Sequence, residues 1–174
     1  RALGFVEERA WTVWRRAGYA RTPEPPVDVH ITHRRRGEWR DEMALARRVR
    51  PPERGGLGWL RPLHASFFRR SWGSRFNDWL SLRSVERLVI RDHDRLAASL
   101  WVQNGFGTRT QFTLLVDPDY QGTYDEALIN YAVRRFGRQT LTIEHPHDEA
   151  LAADLFRRYR FLPQRTVIHM RWDP

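Results

Sequence analysis

VDPDYQGTYDEALINYA, from Val116 to Ala132, is the stretch that decides the fold of this chain. The β-prone run TQFTLLV ends at its first residue, a short polar turn follows, and apolar residues then recur at helical spacing. This order predicts a strand, a turn and a helix. The first N–H groups of a helix have no partner within it, so a helix that begins after such a turn can receive a phosphate. Because the turn contains only one glycine, Gly122, the stretch leaves open whether it still binds an anion.

The flanking sequence predicts antiparallel strands first and then alternating strands and helices. VERLVI and LAASLWVQ, joined by the turn RDHDR, are typical of a β-hairpin, and TLTIEH is typical of a buried strand. We therefore predict an α+β fold with a mixed, mostly antiparallel central sheet flanked by helices. The predicted elements are a strand over 27–34, a helix over 38–49, a loop with short helical turns over 50–74, the hairpin over 85–103, strands over 110–116 and 140–145, helices over 124–136 and 148–160, and two final strands.

The composition is that of one ordinary domain. The 174 residues include 41% hydrophobic residues, enough for a substantial core. There is no cysteine, which excludes disulfides and thiolate metal sites and is compatible with a reducing compartment, so we expect a cytoplasmic protein. The sequence has no run of about 18 apolar residues, so we predict no membrane span.

The charge is strongly basic, at a formal +9, and all 30 basic residues are arginine. Clustered arginines can neutralise the phosphates of a nucleic acid, and such binding falls steeply with salt. Because lysine is missing from every basic position, we interpret the bias as a general preference for arginine, and nucleic-acid binding remains a lesser alternative. The arginine clusters, which we expect to form solvated surfaces, are 34–36, 47–50 and 69–70.

The two ends of the chain resemble each other. YRFLPQRTVIHMRW, Tyr159 to Trp172, aligns without a gap on LGFVEERAWTVWRR, Leu3 to Arg16. Both have an aromatic opening, a polar turn and a strand-like stretch, which indicates an internal repeat. We interpret residues 1–20 as the closing strands of an upstream copy, 21–27 as a proline-rich linker and 28–174 as the domain proper; an ordinary first hairpin is the alternative. The identical pairs are Phe5 and Phe161, Arg9 and Arg165, and Arg15 and Arg171.

These motifs resemble the GNAT family of acyl-CoA N-acyltransferases. The order of hairpin, TLLVDPDYQG, helix, LTIEHPHDEALAADLFRRYRF and final strands is similar to the second half of that fold, and ALGFVEERAWTVWRR is similar to its typical LGF ending. The match extends over Val85 to Trp172, while residues 27–84 match only by position. The resemblance implies transfer of an acetyl group from acetyl-CoA to an amine, and the chain resembles the divergent C-terminal domain of a tandem GNAT protein.

The resemblance also assigns cofactor contacts. The family's strand before the loop, here at Leu115 and Val116, contacts the pantetheine arm, and a loop written Q/R-x-x-G-x-G/A holds the pyrophosphate. Gln121, Gly122 and Thr123 fit this loop, and the range Gln121 to Tyr124 is its phosphate-binding part by resemblance. Tyr124 and Glu126, however, stand where the two motif glycines belong.

The residues that replace the glycines have their own physical role. Thr123-x-x-Glu126 is the pattern of a capping box, in which the two side chains satisfy unpaired N–H groups at the start of a helix. Asp125 and Glu126 also place negative charge in the first turn, which suits the helix dipole and opposes a bound pyrophosphate. The sequence thus predicts the layout of a cofactor loop whose anion-binding chemistry has been replaced.

Catalytic residues are only partly present. The family's tyrosine, which protonates the leaving thiolate, falls on Phe156, and Tyr159 is predicted to pack beneath the last helix. EHPHDE, from Glu144 to Glu149, offers Glu144 or His145 as the base that accepts the amine proton, with a solvated loop as the alternative. We predict no metal site, because His145 and His147 flank a proline and no third ligand is evident.

Three functions follow from these observations. The first is an acyl-CoA-dependent N-acetyltransferase that acts on a small-molecule or peptide amine, with a degenerate cofactor loop in this domain. The second is a structural or regulatory GNAT domain that supports a catalytic upstream GNAT domain of the same chain. The third is an arginine-rich nucleic-acid-binding module. A homodimer is also conceivable, because an exposed first hairpin favours association.

Overall fold

A computed structural model describes residues 4–24, 28–57, 63–69, 84–104 and 109–172. Its elements alternate as an α+β fold requires, so the predicted fold class is confirmed. The strands are β1 (Phe5–Arg16), β2 (Thr32–His33), β3 (Ser84–Asp92), β4 (Arg95–Asn104), β5 (Arg109–Val116), β6 (Thr140–Pro146) and β7 (Leu162–Trp172), and the helices are α1 (Trp39–Val49), α2 (Ala65–Phe68), α3 (Tyr124–Phe136) and α4 (Ala150–Arg158).

The described strands form one sheet in the order β2-β3-β4-β5-β6-β1-β7. Every neighbouring pair is antiparallel except β5 and β6, which run parallel because α3 connects them. The first strand of the chain, β1, thus lies one strand from the edge of the sheet, between β6 and β7, and pairs with both.

Two apolar clusters cover the two faces of the sheet. α3 and α4 pack on one face, where Leu128, Ala132 and Phe136 are buried as their helical spacing predicts. α1 packs on the other face through Leu45, Ala46 and Val49. The same spacing also predicts Tyr131 in the core, but Tyr131 is exposed, and its hydroxyl accepts a hydrogen bond from Arg135. No described helix is long and apolar enough to cross a membrane.

Several predicted elements differ from the structure. Residues 162–172 form one uninterrupted strand instead of two, because β1 supplies the antiparallel neighbour that a second strand would have provided. The strand expected over 27–34 is only two residues long, Thr32–His33. Of the loop over 50–74, only 50–57 and 63–69 are described, and they contain a 3-10 turn, Pro52–Arg54, and α2.

The proline-rich segment is held against the domain where it is described. Residues 21–24 have no regular structure, and the backbone carbonyl of Pro23 accepts hydrogen bonds from Asn130 and Arg134 of α3. Residues 25–27 of the predicted linker lie outside the described part. The division into a leading strand, a linker and a domain remains a prediction.

Candidate functional site

The candidate site lies where β5 and β6 part. Their parallel pairing runs from Arg109 and Thr140 to Phe112 and Ile143, although β5 continues to Val116 and β6 to Pro146. Two parallel strands that stop pairing before they end leave a wedge-shaped gap between them. This gap contains Leu115 and Val116, which were predicted to contact the pantetheine arm. They are buried.

The wedge is filled by side chains of the protein itself. Arg50, immediately after α1, lines two small cavities there, together with Leu114 and His145. Each cavity measures about 10 Å³, which is room for one water molecule at most. A pantetheine arm therefore does not fit between these strands unless the side chains move.

Arg50 is fixed in the wedge by a buried carboxylate. Its Nη1 and Nη2 donate to the two oxygens of Glu149, the second at 3.0 Å, and Nη1 also donates to the carbonyl of Val49 at 3.1 Å. This two-pronged contact matches the planar guanidinium to the carboxylate and fixes both side chains. The backbone N–H of Arg50 donates to Ala46 O at 2.7 Å, so the residue also closes the last turn of α1.

Glu149 is the centre of the charge cluster. Beyond Arg50, it accepts hydrogen bonds from Arg9 Nη2 at 3.0 Å and from His145 Nε2 at 2.7 Å. Burial alone would raise the pKa of Glu149, but its contacts with His145 and Arg50 together lower it to about 2. The carboxylate is therefore ionised at neutral pH and neutralised by two buried arginines. Asp148 completes the cluster by pairing with Arg9 at 2.7 Å.

His145 faces the interior. Its ring is buried and packs edge-on against Phe156 at 5.1 Å between ring centres. Burial lowers its pKa, against the opposing effect of Glu149. Nε2 lies 2.7 Å from Glu149 and 3.3 Å from Arg50, and a nitrogen that donates to the carboxylate cannot also accept from the guanidinium. His145 is thus a packed, hydrogen-bonded group with no open face toward an acceptor amine.

Glu144 points to the opposite face of β6. It lines an open cavity of about 650 Å³, on the side of the sheet that carries α1, together with Gln111, Thr142 and Arg165. Adjacent residues of a strand alternate between the faces of a sheet, which explains why Glu144 and His145 diverge. Both candidate bases border one of the small cavities of the wedge, but only Glu144 also borders a space large enough to hold a substrate.

The turn before α3 is capped by a residue that the sequence pattern did not identify. Thr123 makes no capping hydrogen bond with its side chain, because its backbone has helical dihedrals, φ −118° and ψ −60°. Glu126 points away, accepting from the Tyr159 hydroxyl at 3.2 Å and pairing with Arg158 at 3.0 Å. The predicted capping box is therefore wrong.

Asp125 takes that role instead. Its buried carboxylate accepts from the backbone N–H of Glu126 at 2.9 Å. Burial raises the pKa of Asp125, while the backbone amides of Gly122 and Glu126 lower it by donating to the carboxylate. Gly122 has a φ of +87°, the left-handed conformation that glycine favours in such a turn. A carboxylate of the protein thus occupies the place at the helix start where a phosphate would bind.

The end of α4 offers no proton donor to the wedge. Phe156, which the resemblance aligns with the family's tyrosine, is buried against His145 and Phe161. Tyr159 is buried as predicted, and its hydroxyl lies between Asn130 and Glu126, at 2.9 and 3.2 Å. Within the described residues, no cluster of side chains could hold a metal ion.

Sequence reasoning missed the charge cluster. Arg50 belongs to a run of arginines that predicts a solvated surface, and only its place directly after α1 sets it apart from Arg47 and Arg48. Arg9 lies in another element, and pairing across about 140 positions of the chain leaves no local pattern. The one available signal was Glu149, a carboxylate near the start of a helix.

Comparison with known proteins identifies the fold. No family model matches the chain, and no curated protein matches it significantly. Among solved structures it is similar to a GNAT-family protein from Novosphingobium aromaticivorans, with 17% identity, a TM-score of 0.56 and coverage of 96% of this chain and 65% of that one. A GCN5-related N-acetyltransferase from Anabaena variabilis has 10% identity, a TM-score of 0.65 and coverage of 98% and 42%.

A third similar structure is a GCN5-related N-acetyltransferase from Sphaerobacter thermophilus, with 15% identity, a TM-score of 0.59 and coverage of 97% of this chain and 53% of that one. The chain therefore spans between 42% and 65% of the length of these three proteins. The likeness extends over almost all of this chain at identities that establish the fold. The chain has the fold of the GNAT acetyltransferases.

Proposed function

We propose that this chain is one GNAT-fold half of an acyl-CoA-dependent N-acetyltransferase, and that this half supports catalysis without holding the cofactor itself. The reaction would transfer an acetyl group from acetyl-CoA to a small-molecule or peptide amine. The observation that carries the proposal is the buried pair of Arg50 and Glu149, which fills the gap between β5 and β6.

Binding of the pantetheine arm would require Arg50 to leave the wedge. Glu149 would then lose the donor that contacts both of its oxygens, and removing one partner of a buried pair costs about 3–5 kcal/mol. The cost is of the same order as the binding energy of a weak ligand, since about 4 kcal/mol corresponds to a millimolar Kd. The cofactor would have to supply this energy before any net affinity appeared.

The pyrophosphate faces a second obstacle at the start of α3. The Asp125 carboxylate already accepts backbone N–H groups there. Glu126 lies in the same turn but pairs with Arg158, so the obstacle is the Asp125 carboxylate, which repels a phosphate as a like charge. Both halves of the expected cofactor site are thus occupied by groups of the protein.

A second candidate is catalysis by this chain itself, and the position of Glu144 favours it. Its carboxylate borders the open cavity of about 650 Å³ and could accept a proton from an amine there. The amine nitrogen would form a bond to the thioester carbonyl carbon as the carbon–sulfur bond breaks. The leaving thiolate would need a proton from solvent, because Phe156 has none to give.

Calorimetric titration of the chain with acetyl-CoA, and in parallel with desulfo-CoA, separates the two candidates. The proposal predicts no saturable heat with either ligand up to millimolar concentration. Micromolar binding followed by acetylation of an amine would contradict it and would support catalysis through Glu144. A Glu144→Gln variant would then keep the binding and lose the transfer.

A further inference from the structure

The pairing of β1 with β7 is symmetric. The alignment of Leu3–Arg16 on Tyr159–Trp172 makes Val167 the equivalent of Trp11, and these two residues face each other in the sheet. When two antiparallel segments of a repeat pair so that a residue faces its own equivalent, a local twofold axis passes between them. The axis here lies between Trp11 and Val167.

Eight of the nine remaining pairs obey the same axis; the ninth, Phe5–Trp172, has no counterpart, because Arg16 and Phe161 are not paired. If each residue of one of the eight pairs is replaced by its equivalent in the other strand, the result is another pair that the structure contains. The two strands also have one extra residue each, Glu8 and Gln164, and these are equivalent to each other. The symmetric sets are Ala10–Ile168 with Thr12–Thr166, Arg9–His169 with Val13–Arg165, Glu7–Met170 with Trp14–Pro163, and Val6–Arg171 with Arg15–Leu162.

The symmetry breaks down at the two outer edges. β1 is paired along its other side with β6, from Trp11 to Arg16. The equivalent side of β7, from Val167 to Trp172, has no neighbouring strand in the described part of the chain. We propose that a second GNAT-fold copy, of which β1 is the closing strand, lays its own equivalent of β6 along this edge. The sheet then continues across the axis into the second copy.

The burial of equivalent side chains in β1 and β7 supports this proposal. Ile168, Met170 and Trp172 are 50%, 58% and 62% exposed. Their equivalents in β1, which are Thr12, Trp14 and Arg16, are only 0–4% exposed because β6 and the helices of this copy cover them. A row of exposed apolar side chains on an unpaired edge strand is a site for association. A second copy would cover the row on β7 as this copy covers the one on β1.

At the other ends of the two strands, the β1 residue is the exposed one and its β7 equivalent is the buried one. Phe5 is half-exposed, whereas its equivalent Phe161 is fully buried in the core of this copy. Phe161 packs on Phe156 of α4. Phe5 has the same place in the repeat, so the core that would receive it belongs to the second copy.

The charges indicate what the second copy must offer. Arg9 is buried and binds Asp148 and Glu149 at the start of α4. Its equivalent Arg165 is exposed. Under the twofold axis, Arg165 binds carboxylates at the start of the equivalent helix of the second copy. The partner is therefore a GNAT-fold half with acidic residues before its last helix.

Engineered thiols test this arrangement directly, because the native chain has no cysteine. Ile168→Cys and Leu162→Cys are compared in the 174-residue chain and in the longer polypeptide that includes the sequence encoded upstream of Arg1. Leu162 is the matched control, since it and its equivalent Val6 are both exposed. The readout is the rate of reaction with a thiol reagent.

The proposal predicts that both thiols react at similar rates in the 174-residue chain. In the longer polypeptide the Ile168→Cys thiol should react at least tenfold more slowly, while the Leu162→Cys thiol is unchanged. Equal rates in both polypeptides, or an upstream sequence without a GNAT-fold copy, would overturn it. Protection of the Ile168→Cys thiol in a dimer of the 174-residue chain would also overturn it, because a second copy of this chain would then cover the edge.

Hydrogen exchange of the unsubstituted polypeptides provides an independent readout. The amides of residues 167–172 should exchange more slowly in the longer polypeptide than in the 174-residue chain, and unchanged exchange would contradict the proposal. The arrangement rests on the proposed function only in taking the second copy to be the catalytic half. Both readouts measure exposure, so they succeed or fail independently of acyl-CoA binding.

Discussion

Arg50 is the residue whose side chain closes the wedge, and its removal should be costly. We expect Arg50→Met to destabilise the chain by about 3–5 kcal/mol, because it leaves the buried Glu149 without its closest cation. Urea unfolding followed by tryptophan fluorescence measures the loss. Arg54→Ala is the control, because Arg54 is largely exposed and pairs with Asp148 at 3.4 Å, and an exposed pair contributes about 0–1 kcal/mol. Equal losses of unfolding free energy in the two variants would show that the buried pair stabilises the fold no more than the exposed one.

Glu149 should make the stability of the chain depend on pH. Its pKa of about 2 in the folded chain lies below the value near 4.3 expected when unfolded. A carboxyl whose pKa is lowered by folding stabilises the fold above its unfolded pKa, and this contribution is lost as the pH falls toward about 2. The shift corresponds to about 3 kcal/mol.

Unfolding free energies measured between pH 5 and 2.5 check this expectation. The wild type should lose stability steeply over that range, and Glu149→Gln should flatten the loss. Asp154→Asn, which changes an exposed carboxylate on α4, should leave the slope as it is in the wild type. A Glu149→Gln variant with the wild-type slope would mean that other carboxyls determine the acid sensitivity.

At the level of elements, the turn between β5 and α3 is where the resemblance to the GNAT fold places the cofactor's phosphates. Replacing Tyr124 and Glu126 with glycine restores the family's loop pattern, yet it leaves the Asp125 carboxylate on the backbone amides. We therefore expect the Tyr124→Gly, Glu126→Gly variant to bind no pyrophosphate. Adding Asp125→Ala should produce measurable affinity, because the free N–H groups then face the anion.

Calorimetry with inorganic pyrophosphate measures this difference. Pyrophosphate has no pantetheine arm, so its binding depends only on the turn and not on the wedge between β5 and β6. Circular dichroism of each variant controls for loss of α3, since removing a capping carboxylate costs about 0.5–2 kcal/mol. Equal binding by the two variants would show that Asp125 does not block the site.

The elements themselves could be predicted in large part from the sequence. The hairpin of β3 and β4, the succession of β5, α3, β6 and α4, and the burial of Leu128 and Ala132 follow from local periodicity. The cap of α3 could not be predicted, because a Thr-x-x-Glu pattern does not reveal whether the threonine backbone is extended or helical. In the structure it is helical, and the neighbouring aspartate forms the cap instead.

For the whole molecule, non-local pairing limited what the sequence could predict. The repeat between the two ends of the chain was visible in three identities, but the position of β1 between β6 and β7 depends on contacts at least 125 residues apart. The same holds for the candidate site, where Arg50 and Glu149 meet across 99 positions. Glu144 and His145 were identified from the sequence, and the structure shows that they face opposite sides of the sheet.

An NMR titration of the isotope-labelled chain with acetyl-CoA tests most directly the proposal that the expected acyl-CoA site of this chain is filled from within. The backbone amides of 113–116 and 121–126 report on the two expected parts of the cofactor site. No saturable shift of these signals is expected up to millimolar acetyl-CoA. Saturable shifts in both segments, with recovery of the original spectrum after the ligand is removed, would show that the cofactor displaces Arg50 and Asp125 and would contradict the proposal.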